Sequence, residues 1–200
     1  WLRQDSLSII TTRSNEQRSM HLQSEVVDAK VEGDFYYSTL FRDIPVLVNE
    51  FILDIKNDRL ALTEYYLQKP VSGQHYTANF TIKLKDLQPV TSLLSLNLDA
   101  GKNIDIEAKF TYGNTNVLSA FTHVDSLKYN NILLIDTEIE LNASKISDSA
   151  EALAMIYITS EKQQLNNLLT KDLVTEIIWN KDHVDFQVNL DQQTRNNYLR

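Results

Sequence analysis

The feature that most constrains this chain is an alternation of apolar and polar residues that recurs along most of its 200 positions. Every even position from 76 to 85 is apolar and every odd position is polar, and 103–112 repeats this pattern. Because successive side chains of a strand point to opposite faces, such segments predict strands with one apolar face. The other segments with this pattern, the first two clear and the rest weaker, are 133–141, 184–190, 7–12, 20–31, 117–124, 152–159 and 173–179.

Short turn signals separate these segments and predict an antiparallel meander. They are Asn57-Asp58, Gly113-Asn114, Asn130-Asn131, Asn166-Asn167 and Asn180-Lys181-Asp182. The chain holds seventeen Asn but only four Gly. Since Asn tolerates the left-handed backbone region better than most residues, we expect it to occupy most left-handed turn positions.

Two segments have a helical rather than a strand period. The apolar residues of the first follow helical spacing and predict a helix over 39–53, with Ser38 or Asp43 as its cap and Pro45 in its first turn; they are Leu40, Ile44, Leu47, Val48 and Phe51. A second, shorter helix is predicted around Pro89 to Leu94. The apolar run Ala152 to Ile158 is assigned to a strand because its end is β-branched.

Composition excludes several classes of function. The net charge of −8 and the sequence pI near 5.0 argue against a nucleic-acid binder that neutralises phosphates. The absence of Cys excludes disulfides and thiolate catalysis. The longest apolar run, Ala152 to Ile158, is too short for a membrane-spanning helix. No cofactor is expected.

Candidate chemical groups are few. His123 with Asp125, and His183 with Asp185, each share one face of a predicted strand, but neither pair has a third metal ligand at a characteristic spacing. The carboxylates on the polar faces of predicted strands are interpreted as solvating groups; they are Asp105, Glu107, Glu138 and Glu140. Sequence motifs of nucleophilic, phosphate-binding or zinc-dependent enzymes are absent. The chain is therefore predicted not to be an enzyme.

About nine two-faced strands produce a large apolar area that must be covered. A closed sandwich or barrel would bury this face against itself, and the pattern alone favours that solution. An open, curved sheet would instead leave an apolar groove accessible to a ligand. The closed sandwich or barrel would serve as a structural or protein-binding module, whereas the open sheet would bind a ligand.

Three stretches resemble the TamB and AsmA-like family of Bacteroidetes-type envelope proteins. They are HLQSEVVDAKVEGDFYYSTL at His21 to Leu40, LKDLQPVTSLL at Leu84 to Leu94, and DSLKYNNILLIDTEIELNASKISDS at Asp125 to Ser149. The resemblance implies a long antiparallel meander that forms a curved open sheet, a taco-like β-groove with one or two short helices. Residues 1–200 would then be one β-rich segment of a much larger periplasmic protein anchored in the inner membrane.

The function implied by this resemblance is non-enzymatic. The groove would conduct phospholipids between the inner and outer membranes during outer-membrane biogenesis. Its partners would be phospholipid acyl chains, neighbouring segments of the same protein and an outer-membrane β-barrel. The side chains expected to line the groove are Phe80, Ile82, Ile104, Ile106, Phe110, Ile135, Ile139, Phe186 and Val188.

Overall fold

In the part of the chain that the structure describes, the strands form one β-sheet, and one long helix packs on it. The computed structural model describes residues 6–55, 60, 64–65, 75–86, 88, 91, 97–147, 152–166, 168–180, 183–192 and 195–199. Its elements, in chain order, are β1 (Leu7–Ser14), β2 (Gln17–Ser24), β3 (Val27–Gly33), α1 (Tyr37–Ile55), β4 (Tyr76–Leu84), β5 (Leu98–Ala100), β6 (Ile104–Tyr112), β7 (Thr115–Tyr129), β8 (Ile132–Ile146), β9 (Ala152–Leu165), β10 (Leu168–Asn180), β11 (His183–Gln192) and β12 (Arg195–Leu199).

The strands lie side by side almost in chain order. The order is β1-β2-β3-β4-β6-β7-β8-β9-β10-β11-β12, with the short β5 beside the far end of β7, and every pairing is antiparallel. Within the described residues, no pairing joins β1 to β12, so the sheet is open. The predicted meander is confirmed, and the alternative of a closed sandwich or barrel is wrong for this sheet.

Asparagine occupies most of the left-handed turn positions, as expected. Asn15, Asn103, Asn130 and Asn166 have φ values between 52° and 58°, and no described glycine has positive φ. One predicted segment is corrected, because the chain turns after Ser24 and divides 20–31 between β2 and β3. The turn predicted at Asn57-Asp58 lies outside the described residues, as does most of the one at 180–182.

The helix predicted over 39–53 is confirmed as α1, which is two residues longer at each end. The details of its start are wrong. Pro45 lies inside the helix rather than in its first turn, and Ser38 and Asp43 lie within the helix rather than before it. Most of the second predicted helix, around Pro89 to Leu94, lies outside the described residues.

The register places apolar residues on one side of the sheet. Tyr76, Ala78, Phe80, Ile82 and Leu84 of β4 lie directly opposite Tyr112, Phe110, Ala108, Ile106 and Ile104 of β6. Because directly opposite residues of antiparallel strands point to the same face, these ten side chains share it. We call this side the apolar face, and the side that carries Glu107 and Lys109 the polar face.

A small core forms where α1 packs on the apolar face. The buried side chains of this cluster are Val31, Phe35, Leu40, Leu47, Tyr76, Ala78, Phe110 and Tyr112. The rings of Tyr76 and Tyr112 stack with centroids 5.3 Å apart, and Phe110 meets the Tyr76 ring edge-on at 5.9 Å. The core therefore lies at one margin of the sheet, at the end of β4 and β6 that faces the helix.

Gly33 is required by the close approach of β3 and β4. A Cβ atom at this position would lie 1.9 Å from the carbonyl oxygen of Thr77, which is backbone and cannot move aside. We expect Gly33→Ala to lower the free energy of unfolding by about 3 kcal/mol, and the melting temperature by about 6–12 °C, because of this overlap. Thermal unfolding followed by circular dichroism measures the change.

Gly101→Ala is the matched control. A Cβ atom at Gly101 would lie 3.8 Å from its nearest neighbour, the Ser126 side chain, which is ordinary contact. This variant should therefore melt close to the wild-type temperature. Equal melting of the two variants would contradict the steric explanation.

Candidate functional site

The apolar face extends across the whole sheet in cross-strand rows. One row, here called the Ile106 row, passes through ten neighbouring strands and is interrupted by only two polar side chains, both threonines. Its members are Ile9, Leu22, Ala29, Ile82, Ile106, Thr122, Ile139, Ile158, Thr175 and Val188. At about 4.8 Å per strand the row is roughly 43 Å long.

A second row runs parallel to the first, one step closer to the helix. This Phe80 row contains one polar residue, Thr11 at its outer end. Its members are Thr11, Met20, Val31, Phe80, Ala108, Ala120, Leu141, Ile156, Ile177 and Phe186. The two rows together form a continuous apolar strip across the sheet.

The strip is open to solvent, most of all at its ends. Ile9 is 56% exposed on β1 and Phe186 is 75% exposed on β11. In the middle of the sheet Ile82, Ile106, Ile139 and most of their neighbours are half-buried rather than buried. Much of the apolar side of the sheet is therefore accessible to solvent in the described residues.

Eight of the nine residues expected to line a groove lie on the apolar face. Four belong to the Ile106 row, namely Ile82, Ile106, Ile139 and Val188, and two to the Phe80 row, namely Phe80 and Phe186. The other two are the only buried ones: Phe110 lies under the helix, and Ile104 lies at the opposite end of β6.

Ile135 is the exception, because the alternation of β8 breaks next to it. Asp136 has a φ of 55°, and the ladders on both sides of β8 skip this residue. Beyond the break, Ile135 lies opposite Ser126 and Lys162, which are both polar. It therefore falls outside the two apolar rows, although simple alternation assigns it to the same face as Ile139.

The break continues into neighbouring strands as a row of acidic residues. The skipped positions are Asp125, Asp136, Glu161 and Asp172, one on each of β7 to β10, and Asp172 also has positive φ. We call these residues the acidic row. The acidic row separates the apolar strip from the ends of β7 to β10 that lie away from α1.

Buried polar side chains lie beside the acidic row. Thr137 Oγ1 donates to Ser160 Oγ at 3.2 Å, and Thr170 Oγ1 donates to Gln163 Oε1 at 3.1 Å. The Gln163 amide donates to the Ser160 carbonyl, which joins the two pairs. All four residues are buried, so the apolar strip ends at a satisfied polar network. Alternation places Thr137 on the apolar face, but the sequence does not reveal the network, because Gln163 and Thr170 also fit exposed polar positions.

Helix α1 crosses the strands at the margin of the sheet that lies opposite the acidic row. Near its start, the Tyr37 hydroxyl lies 3.1 Å from the Thr12 carbonyl oxygen and 2.9 Å from that of Ser19, on β1 and β2. Further along, Asp43 contacts Tyr76 on β4, and Glu50 contacts Lys145 on β8. The helix therefore runs parallel to the apolar rows and borders them on one side.

A buried ion pair fixes the second half of the helix to the sheet. Lys145 Nζ lies 3.4 Å from Glu50 Oε2, and both side chains are at most 1% exposed. The Tyr65 hydroxyl donates to Glu50 Oε1 at 3.0 Å. Burial, together with the nearby Glu50 carboxylate, raises the pKa of Tyr65 well above its usual value.

Asp43 anchors the first half of the helix in a similar way. The Tyr76 hydroxyl donates to Asp43 Oδ2 at 3.2 Å, and Arg42 Nε donates to Oδ1 at 2.9 Å. Burial and the Asp43 carboxylate raise the pKa of Tyr76 strongly, and the hydrogen bond to Asp43 raises the pKa of Arg42. Asp43, Leu47 and Glu50 have helical spacing, but a stripe defined only by apolar residues overlooks the two acids.

The polar face offers no facing pair of carboxylates among the four candidates. Asp105 lies opposite Lys83, and Glu107 and Glu140 both lie opposite Phe121. Glu138 lies opposite His123. This arrangement spaces the acids apart and agrees with their interpretation as solvating groups.

The histidine pairs do not assemble a metal site in the described residues. His123 Nε2 lies 3.5 Å from Asp125 Oδ1 and 3.3 Å from Asp136 Oδ1. Within the part of the chain that the structure describes, no three His, Cys, Asp or Glu residues are arranged to hold a metal ion. His183 and Asp185 lie on the polar face of β11, and both are exposed.

No family model, curated protein or solved structure matches this chain. The resemblance to the TamB and AsmA-like proteins therefore stays a prediction from the sequence. Among the residues that the structure describes, no helix has both the length and the apolar character needed to cross a bilayer.

The Glu50–Lys145 pair predicts a large effect of Lys145→Met. Lys145→Met takes the Lys145 cation away from the buried Glu50 carboxylate, so we expect a loss of about 3–5 kcal/mol in the free energy of unfolding. Urea unfolding measures this loss. Adding Glu50→Gln to Lys145→Met removes the buried charge, keeps an acceptor for Tyr65, and should restore part of the stability.

Lys162→Met is the matched control for this prediction. Lys162 also lies beside a carboxylate, Glu161 at 3.1 Å, but both side chains are more than half exposed. Exposed pairs contribute little, so the change should stay within about 0.5 kcal/mol. Equal losses in the two lysine variants would show that the buried pair does not hold the helix.

The raised pKa of Tyr76 predicts a loss of stability in alkali. The unfolded chain releases the tyrosine proton near pH 10, whereas the folded chain keeps it to higher pH. The free energy of unfolding therefore falls as the pH rises above about 10. Tyr76→Phe should flatten this fall by up to about 1.4 kcal/mol per pH unit, measured by urea unfolding at several alkaline pH values. An unchanged slope would contradict the assignment.

Proposed function

We propose that this chain is a non-enzymatic section of a hydrophobic β-groove that binds phospholipid acyl chains and conducts them between the inner and outer membranes. The observation that carries the proposal is the apolar strip, which crosses the sheet from β1 to β11 and remains open to solvent. Soluble proteins rarely leave a continuous apolar surface of this extent without a ligand or partner.

The form of the strip fits a flexible hydrocarbon chain. An acyl chain laid along the Ile106 and Phe80 rows would run across the strands and parallel to α1. Each methylene removed from water contributes about 0.8 kcal/mol. Most side chains of the two rows are aliphatic and the rows hold no charge, so an acyl chain would meet no deep trap and could slide.

The two margins of the strip differ in a way that suits an amphiphile. The helix covers one margin and is fixed there by Asp43 and Glu50. The other margin ends at the acidic row and the polar network. A polar headgroup would therefore project toward the second margin and stay in water, while the acyl chains contact the strip.

The cellular setting of the proposal comes from the resemblance. It includes a periplasmic location, an inner-membrane anchor on the full-length protein, an outer-membrane β-barrel as a partner, and neighbouring segments of the same protein. Among the residues that the structure describes, β1 and β12 form the two edges of the sheet, and edge strands are suited to pairing with such segments.

The test is native mass spectrometry of the gently purified chain, followed by organic extraction and lipid identification. We expect bound phospholipid in the wild type. Ile106→Asp places a charge in the middle of the Ile106 row, between Ile82 and Thr122, and should abolish the bound lipid while the circular dichroism stays unchanged.

Ser119→Asp is the matched control. Ser119 lies on the polar face of the neighbouring strand, opposite Lys109 and Asn142, where a carboxylate is well solvated and faces a cation. This variant should keep its lipid. A wild-type chain with a single unliganded mass, or equal lipid content in the two Asp variants, would count against the groove.

A further inference from the structure

Two hairpin tips project from the sheet at the margin opposite the helix. One joins β7 to β8 through Asn130 and Asn131, and the other joins β9 to β10 and contains Asn166. The tips are adjacent, because the Asn166 amide donates to the Asn131 carbonyl at 2.9 Å. They therefore form one composite surface, here called the paired tips.

Large apolar side chains are exposed on the paired tips. Tyr129, Ile132, Leu168 and Leu169 flank the two turns and are between 41% and 57% exposed. They lie beyond the acidic row and thus are not part of the apolar strip. The fold does not need them for its core.

The charge pattern around the paired tips is unusual for this acidic chain. Residues 129–135 and 163–170 contain no charged residue and no histidine, although 23% of the chain is charged. Lysines bracket these segments, with Lys128 before the first, and Lys162 and Lys171 on either side of the second. In contrast, the β8–β9 connection at the helix margin contains Asp148 and Glu151.

We propose that the paired tips dock into the interfacial region of a lipid bilayer. Tyrosine suits this region, the aliphatic side chains can reach the adjoining hydrocarbon, and the uncharged asparagine turns bring no charge that would be costly there. The bracketing lysines have long side chains that can extend to lipid phosphates while the tips enter. Docking does not require lipid on the apolar strip, so this proposal goes beyond the groove and can fail separately from it.

The lysine environment predicts how the docking depends on salt. Lys162 and Lys171 are paired with Glu161 and Asp172, at 3.1 Å and 3.6 Å, so their charges are partly balanced. Apolar insertion rather than long-range attraction therefore supplies most of the affinity. Vesicle binding should persist near 1 M salt, where charges are screened beyond about 3 Å.

The first experiment is flotation of the whole chain with phosphatidylcholine vesicles that contain a minor fraction of phosphatidylglycerol. Ile132→Ser with Leu169→Ser changes one exposed side chain on each tip and should lower the vesicle affinity by about tenfold or more. The control combines Ile146→Ser with Leu153→Ser. These residues are similarly exposed but lie at the helix-margin ends of β8 and β9, and their replacement should leave binding unchanged.

A second experiment locates the contact directly. Because the chain has no Cys, a single Asn131→Cys or Asn114→Cys variant can carry one environment-sensitive fluorophore. Asn131 is at the paired tips, and Asn114 is in the turn between β6 and β7 at the other margin. Vesicles should shift the emission of the first label to the blue and leave the second unchanged.

The outcomes separate this proposal from the groove. Ile106→Asp should lose bound lipid but still float, whereas the tip variant should keep bound lipid but not float. Equal flotation of the tip and control variants would overturn the docking proposal. So would light scattering that shows wild-type dimers and monomeric tip variants, because the paired tips would then bind a second copy.

Discussion

The structure depends on one constraint: in a strand of alternating residues, all apolar side chains point to the same face of the sheet. Ten such strands, β1 to β11 without the short β5, produce an apolar surface roughly 43 Å wide, yet the described chain provides one long helix to cover it. The helix packs on one margin, and this local packing forms the buried core. The rest of the apolar face stays open because the helix is much narrower than the sheet, and no particular residue is needed to keep it open.

The polar anchors of the helix explain why it stays at the margin. Asp43 and Glu50 are buried acids and need partners, which Tyr76 and Lys145 provide near the strand ends and Tyr65 provides from the segment between α1 and β4. A shift toward the middle of the sheet would bring these carboxylates over Ile82 and Ile106, whose directly opposite neighbours on this face include no cation. Apolar contacts hold the helix on the sheet, and the buried acids fix its position.

The sequence predicted the strands, their antiparallel order, the asparagine turns and the helix, because each depends on local periodicity or local backbone preference. It did not predict the break beside Ile135, since an aspartate at positive φ looks the same in a sequence as a solvent-exposed aspartate. It also missed Glu50 and Lys145, whose burial depends on a contact between residues 95 positions apart. Eight of the nine proposed groove residues do share a face, and their ligand stays a proposal.

The acidic row has a consequence for how far the protein could enter a membrane. Asp136 lies five residues from Asn131 at the end of the tip, a distance of roughly 17 Å along a strand. Half of a bilayer's hydrocarbon core is roughly 15 Å thick. Deeper entry would pull a line of four carboxylates, spread over four strands, out of water. If the paired tips dock as proposed, the acidic row would oppose deeper entry and keep this margin of the sheet from spanning the membrane.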